Sequence, residues 1–152
     1  MILNFLHKSL KLGPIFHFTN MHLHHIALSV RNLETSTKFY QDIFGFTEVK
    51  SFTRPDLKGK AIFLKLGEMQ LELWQFEQPI ERQDNLSKLN VLGIKHLAFA
   101  VENIEMKREE LKKKDIATTE AKLGGSGARY CFLKDPDGIP LELYELSSNF
   151  QK

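Results

Sequence analysis

Apolar residues form short runs that recur in the same order in the two halves of the chain. Strand-like runs occupy 22–30, 46–52, 60–66 and 69–76, and then 94–101, 116–121, 128–134 and 139–146. A helical stripe of apolar residues follows the first run of each half, at 33–44 and at 103–113. The pattern therefore predicts an α+β fold in which each half has the order βαβββ.

Residues that favour helix ends and turns separate these runs. Asn32 is placed to cap the first helix, and Gly45 follows its last residue, where a left-handed conformation ends helices. The sequences GGSG (124–127) and DPDG (135–138) are typical of turns. A polar stretch at 77–92 contains proline and asparagine and joins the two halves.

These boundaries predict one domain preceded by an extension. Residues 1–20 lie outside the repeated pattern, and we expect them to form an N-terminal extension. Residues 21–146 form the single domain, with module one at 21–76, the connector at 77–92 and module two at 93–146.

The two modules also share sequence. HHIALSVRNLE at 24–34 matches KHLAFAVENIE at 95–105, and the match brings His25 onto His96. LELW at 71–74 matches LELY at 141–144, which pairs Glu72 with Glu142. Each module thus carries one member of a matched histidine pair and one member of a matched glutamate pair, at almost the same spacing.

Alternation along a strand predicts which side chains share a face. Over 22–30, His25, Ala27 and Ser29 are expected on one face, with His22 and His24 on the other. The three histidines are therefore not expected to form one cluster, and the repeat singles out His25.

The two glutamates each stand between leucines in a strand, where an unpaired buried carboxylate would be costly. Two imidazoles (His25, His96) and two carboxylates (Glu72, Glu142) suit a divalent ion such as Zn²⁺, Ni²⁺, Co²⁺, Mn²⁺ or Fe²⁺. The other interpretation leaves both glutamates facing solvent on edge strands and both histidines in the core. The repeat favours the metal.

Composition narrows the class of protein. The 152 residues are 42% hydrophobic and 26% charged, which is typical of a globular domain. A net charge of +2 spread along the chain predicts neither a nucleic-acid partner nor binding to a membrane surface. Cys131 is the single cysteine, which excludes an internal disulfide and favours a reducing, cytoplasmic location. A small molecule is the expected partner.

Residues 22–146 resemble the vicinal oxygen chelate superfamily, the group of glyoxalases, bleomycin-resistance proteins and extradiol dioxygenases. The resemblance rests on several strings together: HHIALSV, NLETSTKFYQDIFGF, LELW, KHLAFAVENIE and RYCFLKDPDGIPLELYE. It is strongest to glyoxalase I-like (lactoylglutathione lyase-like) proteins. It implies paired βαβββ modules and a complete set of metal ligands at His25, Glu72, His96 and Glu142.

The resemblance also implies an activity. We expect a metal-dependent lyase or isomerase that acts on a small α-oxo or thiol-adduct substrate through an enediolate, in a homodimer. Glu142 is the first choice for the proton-transferring base and Glu72 the second. Trp74 and Phe76 are expected to bind substrate, and Arg129 to hold an anionic group of it, with a surface salt bridge as the alternative for Arg129.

The sequence departs from bacterial glyoxalase I at two positions. Ser29 and Phe76 stand where that enzyme has an arginine and an asparagine that bind glutathione. Two alternatives therefore stay open. One is an isomerase like methylmalonyl-CoA epimerase, which usually has glutamine at the position of Glu72; the other is a non-catalytic protein that sequesters a small molecule or antibiotic.

Overall fold

The computed structural model describes residues 22–81 and 88–146. Module one contains β1 (Ile26–Ser29), α1 (Leu33–Phe44), β2 (Thr47–Arg54), β3 (Gly59–Leu66) and β4 (Met69–Phe76). Module two contains β5 (Leu97–Val101), α2 (Ile104–Lys113), β6 (Lys122–Leu123), β7 (Arg129–Lys134) and β8 (Pro140–Glu145). The predicted α+β fold of paired βαβββ modules is confirmed. The extension at 1–20 lies outside the described residues, and the proposed domain boundaries stay a prediction.

Each module forms a four-stranded mixed sheet of the same topology. The strand orders are β1-β4-β3-β2 and β5-β8-β7-β6, and in both sheets the first strand runs parallel to the last. The registers are also equivalent, with Ala27 opposite Glu72 and Ala98 opposite Glu142. Strands β1 and β5 are both at the edge of their sheets.

The hydrophobic core lies on the helix side of both sheets. Leu71 and Leu73 of β4 are fully buried there, as are Leu141 and Leu143 of β8. Because side chains alternate along a strand, the glutamate between each pair of leucines faces the opposite, open side of its sheet. None of the described helices is long and apolar enough to span a membrane.

The predicted start and end of α1 are confirmed. The Asn32 side chain accepts a hydrogen bond from the backbone N–H of Thr35, and Gly45 adopts a left-handed conformation with φ 78°. A residue with a Cβ is strained at that φ, so glycine ends the helix without cost.

Three strand predictions are wrong. The first strand of module one begins at Ile26 rather than at 22, that of module two begins at Leu97 rather than at 94, and 116–121 is not a strand. Thr119 makes backbone contact with β7 at a single residue: its N–H donates to the carbonyl of Phe132, while its side-chain oxygen accepts from the Phe132 N–H. A threonine hydroxyl that replaces a backbone acceptor interrupts the ladder, and pairing resumes only at β6.

Helix α1 of module one packs on module two. The Tyr40 hydroxyl donates to Asp135 at 3.0 Å, and Asp135 also accepts from the backbone N–H groups of Asp137 and Ile139. Phe44 stacks on Phe99 with ring centroids 4.1 Å apart. Burial raises the pKa of both Tyr40 and Asp135 above their ordinary values. This contact fixes how the modules sit against each other.

Replacing Tyr40 by Phe tests that junction. The change removes the donor and leaves a buried carboxylate oxygen of Asp135 without it, so we expect the free energy of unfolding to fall by about 1–3 kcal/mol. Urea denaturation measures the loss. Tyr130→Phe is the control, since the Tyr130 hydroxyl makes no hydrogen bond to a described residue. Equal losses in both variants would contradict the prediction.

Candidate metal centre

The first of two histidine–glutamate pairs lies on the open side of module one. His25 directly precedes β1, and Glu72 lies in the neighbouring strand β4. The Nε2 atom of His25 is 3.4 Å from an oxygen of Glu72. The side chain of His25 is 37% exposed and that of Glu72 is 13% exposed, so the imidazole is open to solvent while the carboxylate is sheltered.

Module two repeats the pair. His96 directly precedes β5, and its Nε2 atom is 3.1 Å from an oxygen of Glu142 in β8. Their side chains are 31% and 12% exposed, close to the values in module one. The same register of parallel strands therefore builds the same pair twice.

The separations within the pairs fit two ligands of one metal ion. Nitrogen and oxygen ligands lie about 2.1 Å from an ion such as Zn²⁺, so neighbouring ligands are about 3.0–3.4 Å from each other. Both pairs meet that spacing. The donor set, one imidazole and one carboxylate in each pair, also suits a divalent ion.

The four predicted ligands do not come together within one chain. Among the described residues no group of three or more His, Cys, Asp or Glu side chains is placed to hold a metal. The structure thus brings His25 to Glu72 and His96 to Glu142, and it keeps the two pairs apart. Each pair fits half of a four-ligand site.

Strand alternation predicted His24 and His25 on opposite faces of a strand, and this prediction is wrong because their rings contact each other. Because β1 begins at Ile26, residues 22–25 do not alternate, and the Nδ1 atoms of His24 and His25 are 2.9 Å apart. The amide of Gln70 lies 3.4 Å from the other ring nitrogen of His24. These contacts engage Nδ1 of His25 and leave its Nε2 atom toward Glu72. In the sequence, only the adjacency of His24 and His25 indicated that their rings could contact each other.

Aromatic side chains surround the pair in module one. Trp74 and Phe76 follow Glu72 on the same face of β4 and stack with centroids 5.6 Å apart. The Phe76 ring lies over Gly59, where an added Cβ would be 2.9 Å from it. Phe63 contacts the His25 ring edge-on at 5.3 Å and is itself buried. Glu72 therefore opens onto an apolar surface.

In module two a cavity of about 940 Å³ reaches the second pair. His96 and Glu142 line it together with Tyr130 and Phe132, and the Phe132 ring contacts His96 edge-on. Phe99 instead belongs to the core. The cavity size is in the range of small-molecule sites.

Arg129 lies away from both pairs. Its guanidinium pairs with Glu105 of α2 and lies 3.8 Å from Glu145. Arg129 alternates with Tyr130 along β7 and shares the helix side with Cys131, whose thiol pKa is raised by burial. The predicted contact of Arg129 with substrate stays a prediction. In this structure the Arg129 guanidinium forms ion pairs with the carboxylates of Glu105 and Glu145.

Comparison with known proteins identifies a family model and several relatives. The model of the Glyoxalase/Bleomycin resistance protein/Dioxygenase superfamily matches residues 22–143. The chain is 35% identical to the uncharacterized protein YwkD of Bacillus subtilis, over 81% of this chain and 95% of that protein. It is 33% identical to mitochondrial methylmalonyl-CoA epimerase of Mus musculus (80% and 71% covered) and 25% identical to lactoylglutathione lyase of Haemophilus influenzae (84% and 95%).

Solved structures share the fold. A glyoxalase family protein from Enterococcus faecalis superposes with a TM-score of 0.72 at 34% identity, covering 82% of this chain and 97% of that one. The trypanothione-dependent glyoxalase I of Leishmania major gives a TM-score of 0.65 at 25% identity, with 82% and 86% covered.

Proposed function

Since the chain belongs to the glyoxalase/bleomycin resistance protein/dioxygenase superfamily, we propose that it is a metal-dependent lyase or isomerase acting on a small α-oxo or thiol-adduct substrate through an enediolate. The observation that carries the proposal is the repeated histidine–glutamate pair. Both pairs have the spacing of two ligands on one ion, and both face an open side of a sheet. A complete ligand set favours catalysis over simple sequestration of a small molecule.

The four paired residues have two roles in the proposed reaction, metal binding and proton transfer. His25, Glu72, His96 and Glu142 would hold a divalent ion, which supplies polarisation of a substrate carbonyl when bound. Glu142 takes the proton from the carbon beside that carbonyl and returns it to the neighbouring carbon, with Glu72 as the second candidate. Among the described residues neither carboxylate has another hydrogen-bond or ion-pair partner, so each keeps an oxygen available for the proton.

Trp74 and Phe76 supply the substrate surface beside Glu72. Their stacked rings form a rigid apolar wall that excludes water from the carboxylate and binds the apolar part of a substrate. Water exclusion strengthens the electrostatic interactions at the site.

The proposal includes a homodimer, because one chain holds two half-sites. Strands β1 and β5 are both unpaired sheet edges, and each follows directly on its histidine. Leu23 and Ile94 stand two residues before the histidines and are 70% and 76% exposed. A second copy that covers these edges and apolar side chains would bring His25 and Glu72 against His96 and Glu142 of the partner. We place the dimer in the cytoplasm, where the free thiol of Cys131 stays reduced.

A second candidate is an epimerase acting beside a thioester carbonyl. The 33% identity to the mouse epimerase favours it. The reaction uses the same kind of step, removal and return of a proton beside a carbonyl, so the same glutamates would serve.

Metal analysis followed by turnover assays tests the proposed function. We expect the purified protein to bind close to one divalent ion per chain and to convert methylglyoxal in the presence of a thiol. Protein stripped by a chelator should lose turnover and regain it when metal is added back. Metal without turnover of any α-oxoaldehyde–thiol adduct would favour the epimerase. Neither metal nor turnover would favour a sequestering protein.

Thiol preference is a further prediction. Ser29 and Phe76 offer no charged group to a glutathione tail, so kcat/KM with glutathione should be within about tenfold of that with smaller thiols. The double substitution Ser29→Arg and Phe76→Asn should improve the glutathione reaction, chiefly through KM, by about 1–3 kcal/mol. Ser51→Arg, on an exposed serine of β2, is the control. A strong native preference for glutathione would contradict this prediction.

A further inference from the structure

His25 lies just before the paired part of β1. Parallel pairing with β4 begins at Ile26, which is opposite Leu71, and so fixes the backbone from that residue onward. The His25 side chain is 37% exposed, so core packing does not hold it in one direction. The direction in which its ring presents Nε2 therefore depends on contacts with other side chains.

Two side chains on the open side of β4 contact the two adjacent imidazoles. Gln70 and Glu72 flank the buried Leu71, so they share the opposite face of the strand. The Gln70 amide lies 3.4 Å from Nε2 of His24, and the Glu72 carboxylate lies 3.4 Å from Nε2 of His25. The Nδ1 atoms of the two histidines are 2.9 Å apart, which joins both contacts into one chain of polar groups.

Both imidazoles pack against the same buried ring. Phe63 of β3 pairs directly with Glu72 and is 7% exposed. The rings of His24 and His25 contact it edge-on, with centroid distances of 6.4 and 5.3 Å. Phe63 therefore sets where the two imidazoles lie, and the contact between their Nδ1 atoms sets how the His25 ring is rotated.

A hydrogen bond between two Nδ1 atoms requires a proton on one of them and a lone pair on the other. When Nε2 of His25 is a metal ligand, the proton of that neutral ring is on Nδ1, so His24 has to be the acceptor. His24 then carries its own proton on Nε2 and donates it to the amide oxygen of Gln70. The equivalent of His24 in module two is Lys95, whose ammonium group has donors only.

We infer that His24 is a positioning residue of the metal centre. It accepts the Nδ1 proton of His25 and so fixes both the tautomer and the direction in which His25 presents Nε2 to the ion. The inference rests on the proposed function, which supplies the metal. It also makes the two half-sites unequal, because the lysine at the equivalent position of module two cannot accept a proton from His96.

Two substitutions of almost equal shape test the role of His24. Asparagine places an amide oxygen near the position of the histidine Nδ1 atom, whereas leucine places a methyl group there. We expect His24→Leu to weaken zinc binding by about 10–100-fold and His24→Asn to keep most of the affinity. Competition with a chelator measures the zinc dissociation constant. His22→Leu is the control, since His22 is exposed and should leave the affinity unchanged. Wild-type affinity in His24→Leu, or equal losses in His24→Leu and His24→Asn, would overturn the inference.

Nitrogen NMR of the two rings separates failure of this inference from failure of the proposed function. In the zinc-loaded protein, His25 should carry its proton on Nδ1 and His24 on Nε2. In the metal-free protein, the proton shared between the Nδ1 atoms should give the two neutral rings opposite tautomers. Protons on Nε2 of both rings in the metal-free protein would overturn the inference. Opposite tautomers in a protein that binds no zinc would instead count against the proposed function and leave the hydrogen bond between His24 and His25 standing.

Discussion

His96→Ala and Glu142→Gln should each abolish stoichiometric metal binding. Each change removes one donor from a pair whose atoms are 3.1 Å apart, so the remaining side chain cannot act as half of the site. Turnover should fall by about 10²–10⁴-fold, and for Glu142→Gln the loss includes the proton-transferring base. Metal per chain is measured by elemental analysis and turnover under saturating added metal.

Glu102→Gln is the matched control for the glutamate. Glu102 is exposed and directly follows β5, so its loss of charge changes the same module without touching the pair. We expect wild-type metal content and turnover from it. Wild-type metal content in both His96→Ala and Glu142→Gln would rule out the four-ligand site.

Mixing two inactive variants should restore activity. One variant carries His25→Ala and Glu72→Gln, and the other carries His96→Ala and Glu142→Gln. Each alone has only one intact pair, so each homodimer lacks every complete site. A mixed dimer joins the two damaged pairs in one site and the two intact pairs in the other. After subunits exchange at random, metal content and turnover should reach about a quarter of the wild-type values.

The recovery distinguishes sites shared between chains from sites within a chain. If both pairs of a site came from the same chain, mixing would restore nothing. The control mixes each double variant with itself through the same subunit exchange, which should give no recovery. A strictly monomeric mass in light scattering, with full activity, would also exclude the shared site.

Local sequence determined the elements and the faces of the strands. The limits of α1 follow from Asn32 and Gly45, because a side-chain cap and a left-handed residue act within a few positions of the chain. The open-side positions of Glu72 and Glu142 follow from the alternation of buried leucines around them. The repeat added the correspondence between modules, and the equivalent strand registers bear it out.

Local patterns gave wrong predictions for residues that lie outside the helices and strands. His24 contacts His25 because residues 22–25 precede the strand, so alternation does not govern them. The stretch 116–121 has strand-forming residues, yet the Thr119 hydroxyl takes a position in the ladder that a backbone group would fill. A competing side-chain acceptor is a contact between distant residues, which a periodic pattern does not contain.

The separation between the two histidine–glutamate pairs was decided by tertiary structure alone. The repeat places a matched histidine and a matched glutamate in each module, and parallel pairing of the first and last strands brings each pair together. Whether the pairs then meet depends on how α1 docks on module two through Tyr40 and Phe44, which keeps them apart. Periodicity predicts which face of a strand a residue lies on. The distance between residues on two different sheets depends instead on packing contacts between residues far apart in sequence.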